Sequence, residues 1–115
     1  MPVLPNADWA IIPVEKIRDY VLNPAHPDGT HKARVILAST GLRRSDYQNL
    51  INQIAQGILA GQAVQHDIRR GCTQYYVELP VTGPEGTIVV RTIWIYEDGS
   101  NVPRLTTLYP TRRRV

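Results

Sequence analysis

Two histidines stand beside two cations in the segment between Asn23 and Arg34: His26 and His31 lie close to Lys32 and Arg34, in a stretch punctuated by Pro24, Pro27 and Gly29. Imidazole takes or gives a proton near neutral pH, and lysine and arginine stabilise charge on a phosphate. Those are the parts for metal-independent cleavage of RNA. A base removes the proton of the 2′-hydroxyl, cations hold the phosphate oxygens, and an acid protonates the departing 5′-oxygen. The same residues have a plain structural alternative. His26 and His31 could be turn residues bonded to backbone, with Lys32 and Arg34 on a solvated helix start.

A second group falls on the last two strand-like segments. Arg91 alternates with Thr92 and Trp94, while in the final segment Leu105, Thr107 and Tyr109 share one face and Arg104, Thr106 and Leu108 the other. Arginines, hydroxyls and an aromatic on adjacent strands could form a phosphate and base platform. They could equally be ordinary cross-strand pairs, with Arg91 opposite a glutamate. Trp94 reads as core. No metal site is expected: His26 and His31 are five apart in a proline loop, His66 is distant, and no acidic residue completes a ligand pattern. Cys72, the one cysteine, has no candidate base nearby and reads as structural. No cofactor is implied.

The elements that must position these groups divide the chain in two. Residues 1–12 read as an N-terminal arm whose Trp9, Ile11 and Ile12 dock on the body. A helix should start at Pro13 and run through VEKIRDYVL, with Val14, Ile17 and Val21 on one face, and stop before Asn23-Pro24. HKARVILAST fits either a strand or a short helix, and helix is preferred. Ser45 and Gln48 resemble a capping box ahead of Leu50, Ile51, Ile54, Ile58 and Leu59, with Gly61 as the stop and Gly57 as a point of close packing. Beyond residue 62 the period changes from helical to alternating. AVQHDIR, CTQYYVELP, TIVVRTIWIYE and PRLTTLYP read as strands, joined by turns such as TGPEG and EDGSN. The expected architecture is α+β: two or three N-terminal helices packed on an antiparallel three- to four-stranded meander sheet.

Length and charge bound the function. A chain of 115 residues makes one domain, with residues 111–115 as a basic tail, and leaves no room for separate cofactor and substrate domains. No apolar run approaches a membrane span and no secretory leader is evident, so no membrane partner and a cytoplasmic location are expected. The formal charge of +3 is segregated: −2 over residues 1–30, +4 over 31–70, −3 over 71–100 and +4 over 101–115. Eleven of the thirteen basic residues are arginines, whose planar fork suits phosphate. A polyanion such as RNA fits these two blocks, expected to flank one groove, and so does an acidic protein.

The motif DYVLNPAHPDGTHKA, the strand GCTQYYVELP, the hairpin TGPEG, the strand VVRTIWI and the closing RLTTLYP together resemble a family of small bacterial domains common in cyanobacteria. The likeness runs from about residue 10 to 110, on a signature near DYxLNPxHPxGxxKA. Members of that family occur at the toxin ends of polymorphic toxins and beside genes resembling antitoxins. The order of helices then meander resembles the barnase, EndoU, colicin and RelE group of ribonucleases. The resemblance implies a ribonuclease toxin held in check by a cognate, acidic antitoxin. It places His26, Gly29 and Lys32 in the loop, Thr92 and Trp94 on the central strand, and Arg104, Thr107 and Tyr109 on the last. His26 or His31 would then carry the proton, Lys32 with Arg34 or Arg104 would clamp the phosphate, and Thr107 or Tyr109 would position the reacting hydroxyl. Without catalysis, the same surface would serve as an interaction module for an acidic partner.

Overall fold

The computed structural model describes residues 3–69, 72–97 and 99–114, less the side chains of 66–69 and 112–114. The side chains of His66 and of the arginines of the expected tail, and the whole of Val115, lie outside the described set. Three helices precede a four-stranded antiparallel meander in the order β1-β2-β3-β4, as the change of period at residue 62 anticipates. The strands are β1 (Ala63–Arg69), β2 (Cys72–Gly83), β3 (Gly86–Tyr96) and β4 (Arg104–Arg114). The backbone of the expected tail thus continues β4, with Arg114 opposite Ile88.

Helix α1 begins as one α-helical turn, Val14–Lys16, and widens into a π turn over Ile17–Val21, closed by the Leu22 N–H on the Ile17 carbonyl at 2.9 Å. Ile17 and Val21 are buried, while Val14, the first residue of the helix, is exposed. The ambiguous segment HKARVILAST is helix α2, Thr30–Thr40, ended by Gly41 in the left-handed conformation. Helix α3 spans Tyr47–Gly57 and buries Leu50 and Ile54, with Ile58 completing the stripe just beyond. Its entry differs from the expected box. The Asp46 carboxylate accepts the Arg43 N–H at 2.8 Å, and Gln48 bonds Asn52 along the helix. The helix stops at Gly57, four residues before Gly61, so Leu59 falls past its end and stays exposed. At Gly57 the helix rests on β2: a Cβ there would stand 3.1 Å from a Leu79 methyl.

The core lies between the helices and one sheet face. Val77, Leu79, Val90, Trp94, Leu105 and Leu108 meet Ile17, Ile36, Leu50, Ile54 and Ile58 there. Simple alternation fails in β4. Trp94 pairs with Leu105 but Ile93 pairs with Thr107, so Thr106 is the extra residue of a β-bulge. Leu105 and Leu108, three apart, therefore both point inward, and the expected grouping of Leu105 with Thr107 and Tyr109 is corrected. The N-terminal arm docks differently from its expected mode. Leu4 and Ala7 are buried and Ile12 packs on the core, while Trp9 is 71% and Ile11 50% exposed. The Ile11 backbone joins the start of β4, donating to the Pro103 carbonyl and accepting from the Leu105 N–H.

Candidate functional site

The π turn, the proline loop and the start of α2 meet at Gly29. A Cβ on Gly29 would stand 2.1 Å from the Tyr20 carbonyl oxygen and 2.8 Å from the Tyr20 ring, so only glycine lets the loop close on the π turn. In the loop the His26 Nδ1 accepts the N–H groups of Asp28 and Gly29, at 3.0 and 3.1 Å. The imidazole thereby closes the turn just ahead of α2, as Asn and Asp side chains do when they bond backbone N–H groups two residues on. It also fixes the tautomer: with Nδ1 accepting, the proton of the neutral ring sits on Nε2. The ring stacks on Tyr20 with centroids 4.8 Å apart and planes inclined by 7°. Its Nε2–H is a hydrogen-bond donor in this state, so His26 offers a donor where a base was one of the expected roles.

Lys32, one turn into α2, reaches across to β4. Its Nζ donates to Thr107 Oγ1 at 2.9 Å, lies 3.5 Å from the Tyr20 hydroxyl and 4.8 Å from the centre of the Tyr20 ring. No carboxylate pairs with Lys32 among the described residues. Tyr20, His26, Lys32 and Thr107 form one connected cluster at the edge of the sheet. It offers an ammonium, an imidazole N–H and two hydroxyls, a donor-rich set suited to an anion. Tyr20 was missed in the sequence. Its signal is an aromatic between the buried Ile17 and Val21, off their stripe and inside the Asp-Tyr-x-Leu-Asn-Pro run.

The other expected residues are scattered. His31 is exposed on the first turn of α2. Arg34 is two residues from Lys32 and so about 200° around the helix, where it lines a groove with Arg43 and Arg44. Lys32 and Arg34 therefore form no joint clamp. Thr92 is fully buried; its hydroxyl donates to the Val77 carbonyl at 2.7 Å and accepts the Trp94 Nε1–H at 2.8 Å. That corrects Thr92 from a substrate contact to a buried polar link holding Trp94 in the core. Arg91 lies on the sheet face away from the helices, 2.9 and 3.0 Å from one Glu78 oxygen and over the Tyr76 ring at 4.0 Å. Tyr109 is opposite Arg91 on that face and hydrogen-bonds with it. Arg104 pairs with Glu97 at 3.3 Å. The described arginines of the two basic blocks thus occupy separate places and do not flank one groove.

A family model described as a domain of unknown function, DUF6883, matches residues 3–112. The chain belongs to this family. No curated protein matches it, so no relative's activity carries over. The match spans all four cluster residues of this DUF6883 domain, from the π turn to β4.

Next to Tyr20 in the chain, Asp19 is bound by two arginines. Arg18 first, then Arg44, hold the Asp19 carboxyl well below the usual carboxylate range through hydrogen bonds, and Asp19 ties the π turn to the residue before Ser45. On the open sheet face, the hydrogen bonds that Arg91 donates to Glu78 raise its pKa further. Burial, reinforced by Tyr75, pushes the Tyr96 hydroxyl up; it donates to the Pro5 carbonyl and pins the arm. Among the described residues no three His, Cys, Asp or Glu gather to hold a metal ion, and no helix is long and apolar enough to cross a membrane.

Proposed function

We propose that this DUF6883 domain is a ribonuclease of the toxin type that cleaves RNA without a metal and is restrained by an acidic antitoxin. The reading rests on one observation: Lys32, free of any carboxylate among the described residues, is held by Thr107 beside the Tyr20 ring and the adjoining His26. Lys32 carries the negative charge of the phosphate, and the His26 Nε2–H donates to the same group. Tyr20 and Thr107 position the ribose and phosphate, and the Tyr20 and His26 rings give a base a stacking surface. His31, outside the cluster but exposed on the same first turn of α2 as Lys32, is assigned the proton transfer. It takes the proton from the 2′-hydroxyl as the 2′-oxygen bonds phosphorus, and returns it to the 5′-oxygen as the P–O5′ bond breaks. The helices-then-meander order adds the ribonuclease likeness seen in the sequence.

Purified protein is expected to degrade RNA in EDTA, and its expression to arrest growth unless the antitoxin is supplied. If folded protein leaves tRNA, mRNA and ribosome-bound RNA intact, the ribonuclease reading fails. The alternative, a noncatalytic module for an acidic partner, gains support from the structural use of His26 Nδ1, which holds the turn ahead of α2. Under that alternative, expression is harmless.

A further inference from the structure

On the side of α2 away from Lys32, a groove of 360 Å³ runs between α2 and the segment leading into α3. Its floor includes Leu22, Leu37 and Leu42, and its rim is Arg34, Arg43 and Arg44. Leu37 is 44% exposed although it sits in this concavity, so the floor leaves apolar surface uncovered. Arg44 is already engaged, with Nη2 on Asp19 at 2.7 Å and Nε on the Arg18 carbonyl at 3.0 Å. The side chains of Arg34 and Arg43 meet no carboxylate among the described residues. A volume of this size is that of a small-molecule site, in which apolar walls supply area and a few polar groups supply orientation.

We propose that this groove binds a small amphiphilic organic anion, its apolar part on Leu22, Leu37 and Leu42 and its carboxylate or phosphate on Arg34 and Arg43. Neither half of the site suffices alone. A bare anion at solvent-exposed guanidinium groups gains little against screening. A neutral apolar molecule covers the leucines and leaves both arginines as they were. Only a ligand with both parts uses the whole rim and floor, and the site is separate from the cluster proposed to cleave RNA.

Titration of the ¹⁵N-labelled full chain with octanoate, acetate and 1-octanol tests this. Octanoate should shift the amides of Leu37, Leu42 and Arg43 saturably, binding about tenfold tighter than either fragment. The R34Q/R43Q double variant, its fold checked by its amide spectrum, should weaken octanoate to the level of 1-octanol. The K32A variant should bind octanoate as the natural chain does, whether or not the chain cleaves RNA. Equal affinity for octanoate and acetate would show surface attraction only, and equal affinity for octanoate and 1-octanol would show apolar contact only. Either result overturns the proposal, as does full binding by R34Q/R43Q or the absence of saturable shifts.

Discussion

Lys32 and Arg91 each lie over a tyrosine ring, yet their charges are met in different ways. Arg91, over Tyr76, has two nitrogens on a Glu78 oxygen, and the pair lies directly across β2 and β3. Lys32, over Tyr20, meets only neutral hydroxyls. A cation bound to a carboxylate has little left for a substrate anion, because the incoming charge must compete with the partner already there. A cation held by hydroxyls keeps its full charge in a fixed place. Equal residue type and equal aromatic company thus say little about function, and the presence of a carboxylate decides.

Replacing each cation tests the contrast most sharply. Lys32→Ala should reduce RNA cleavage by at least about a hundredfold, the scale seen when a single charge-stabilising donor is lost, with an unchanged circular dichroism spectrum. Arg91→Ala should leave cleavage unchanged and lower stability. If both variants cleave alike, the distinction drawn between the two cations collapses.

Next in size is Gly29→Ala, which puts a methyl group against the Tyr20 carbonyl and ring. Forcing the loop off the π turn should cost about 1–3 kcal/mol in denaturant unfolding and lower cleavage by moving His26 from Tyr20. Unchanged stability would mean that the loop's closeness is not required. A smaller effect is expected at Glu78→Gln, which removes the carboxylate from a half-buried Arg91. Stability should fall by about 1 kcal/mol, and inorganic phosphate should now perturb the Arg91 and Tyr76 resonances. Persistent indifference to phosphate would show that pairing with Glu78 is not what keeps Arg91 from anions.

The smallest change is expected at Asp19. Its carboxyl titrates lower in the folded chain than in the unfolded one, so the folded state is favoured above the unfolded value of about 3.9. That contribution fades as pH falls through the folded value. Asp19→Asn should flatten the acid limb of the stability curve without altering cleavage at neutral pH. The Asp19 side chain is 36% exposed to solvent, which keeps the effect modest.

The helices and strands were legible because their periodicities differ, and the loop from Asn23 to Gly29 because two prolines and a glycine are hard to place in any regular element; Thr30–Arg34 instead form the first turns of α2. The π turn was not legible. Widening by one residue leaves no mark in composition, yet the π turn buries Ile17 and Val21 together and holds Tyr20 against His26. The bulge at Thr106 was hidden for a related reason. Alternation was read across it as though each residue flipped the face, whereas one unpaired residue restores Leu108 to the core and leaves Thr107 for Lys32. Thr92 misled differently, since a hydroxyl between apolar neighbours looks the same whether it awaits a ligand or carries a buried bond to Trp94.

By itself the sequence determined what is set by local preference and pattern: an α+β order, the breaks at proline and glycine, and a segment rich in imidazole and cations. Tertiary structure alone decided which of those groups share a site. Lys32 and Thr107 are 75 residues apart in the chain, and the helix angle between Lys32 and Arg34 separates near neighbours. Proximity in a folded chain follows from packing, and a carboxylate such as Glu78, brought opposite Arg91 by strand register, settles whether a charge remains free.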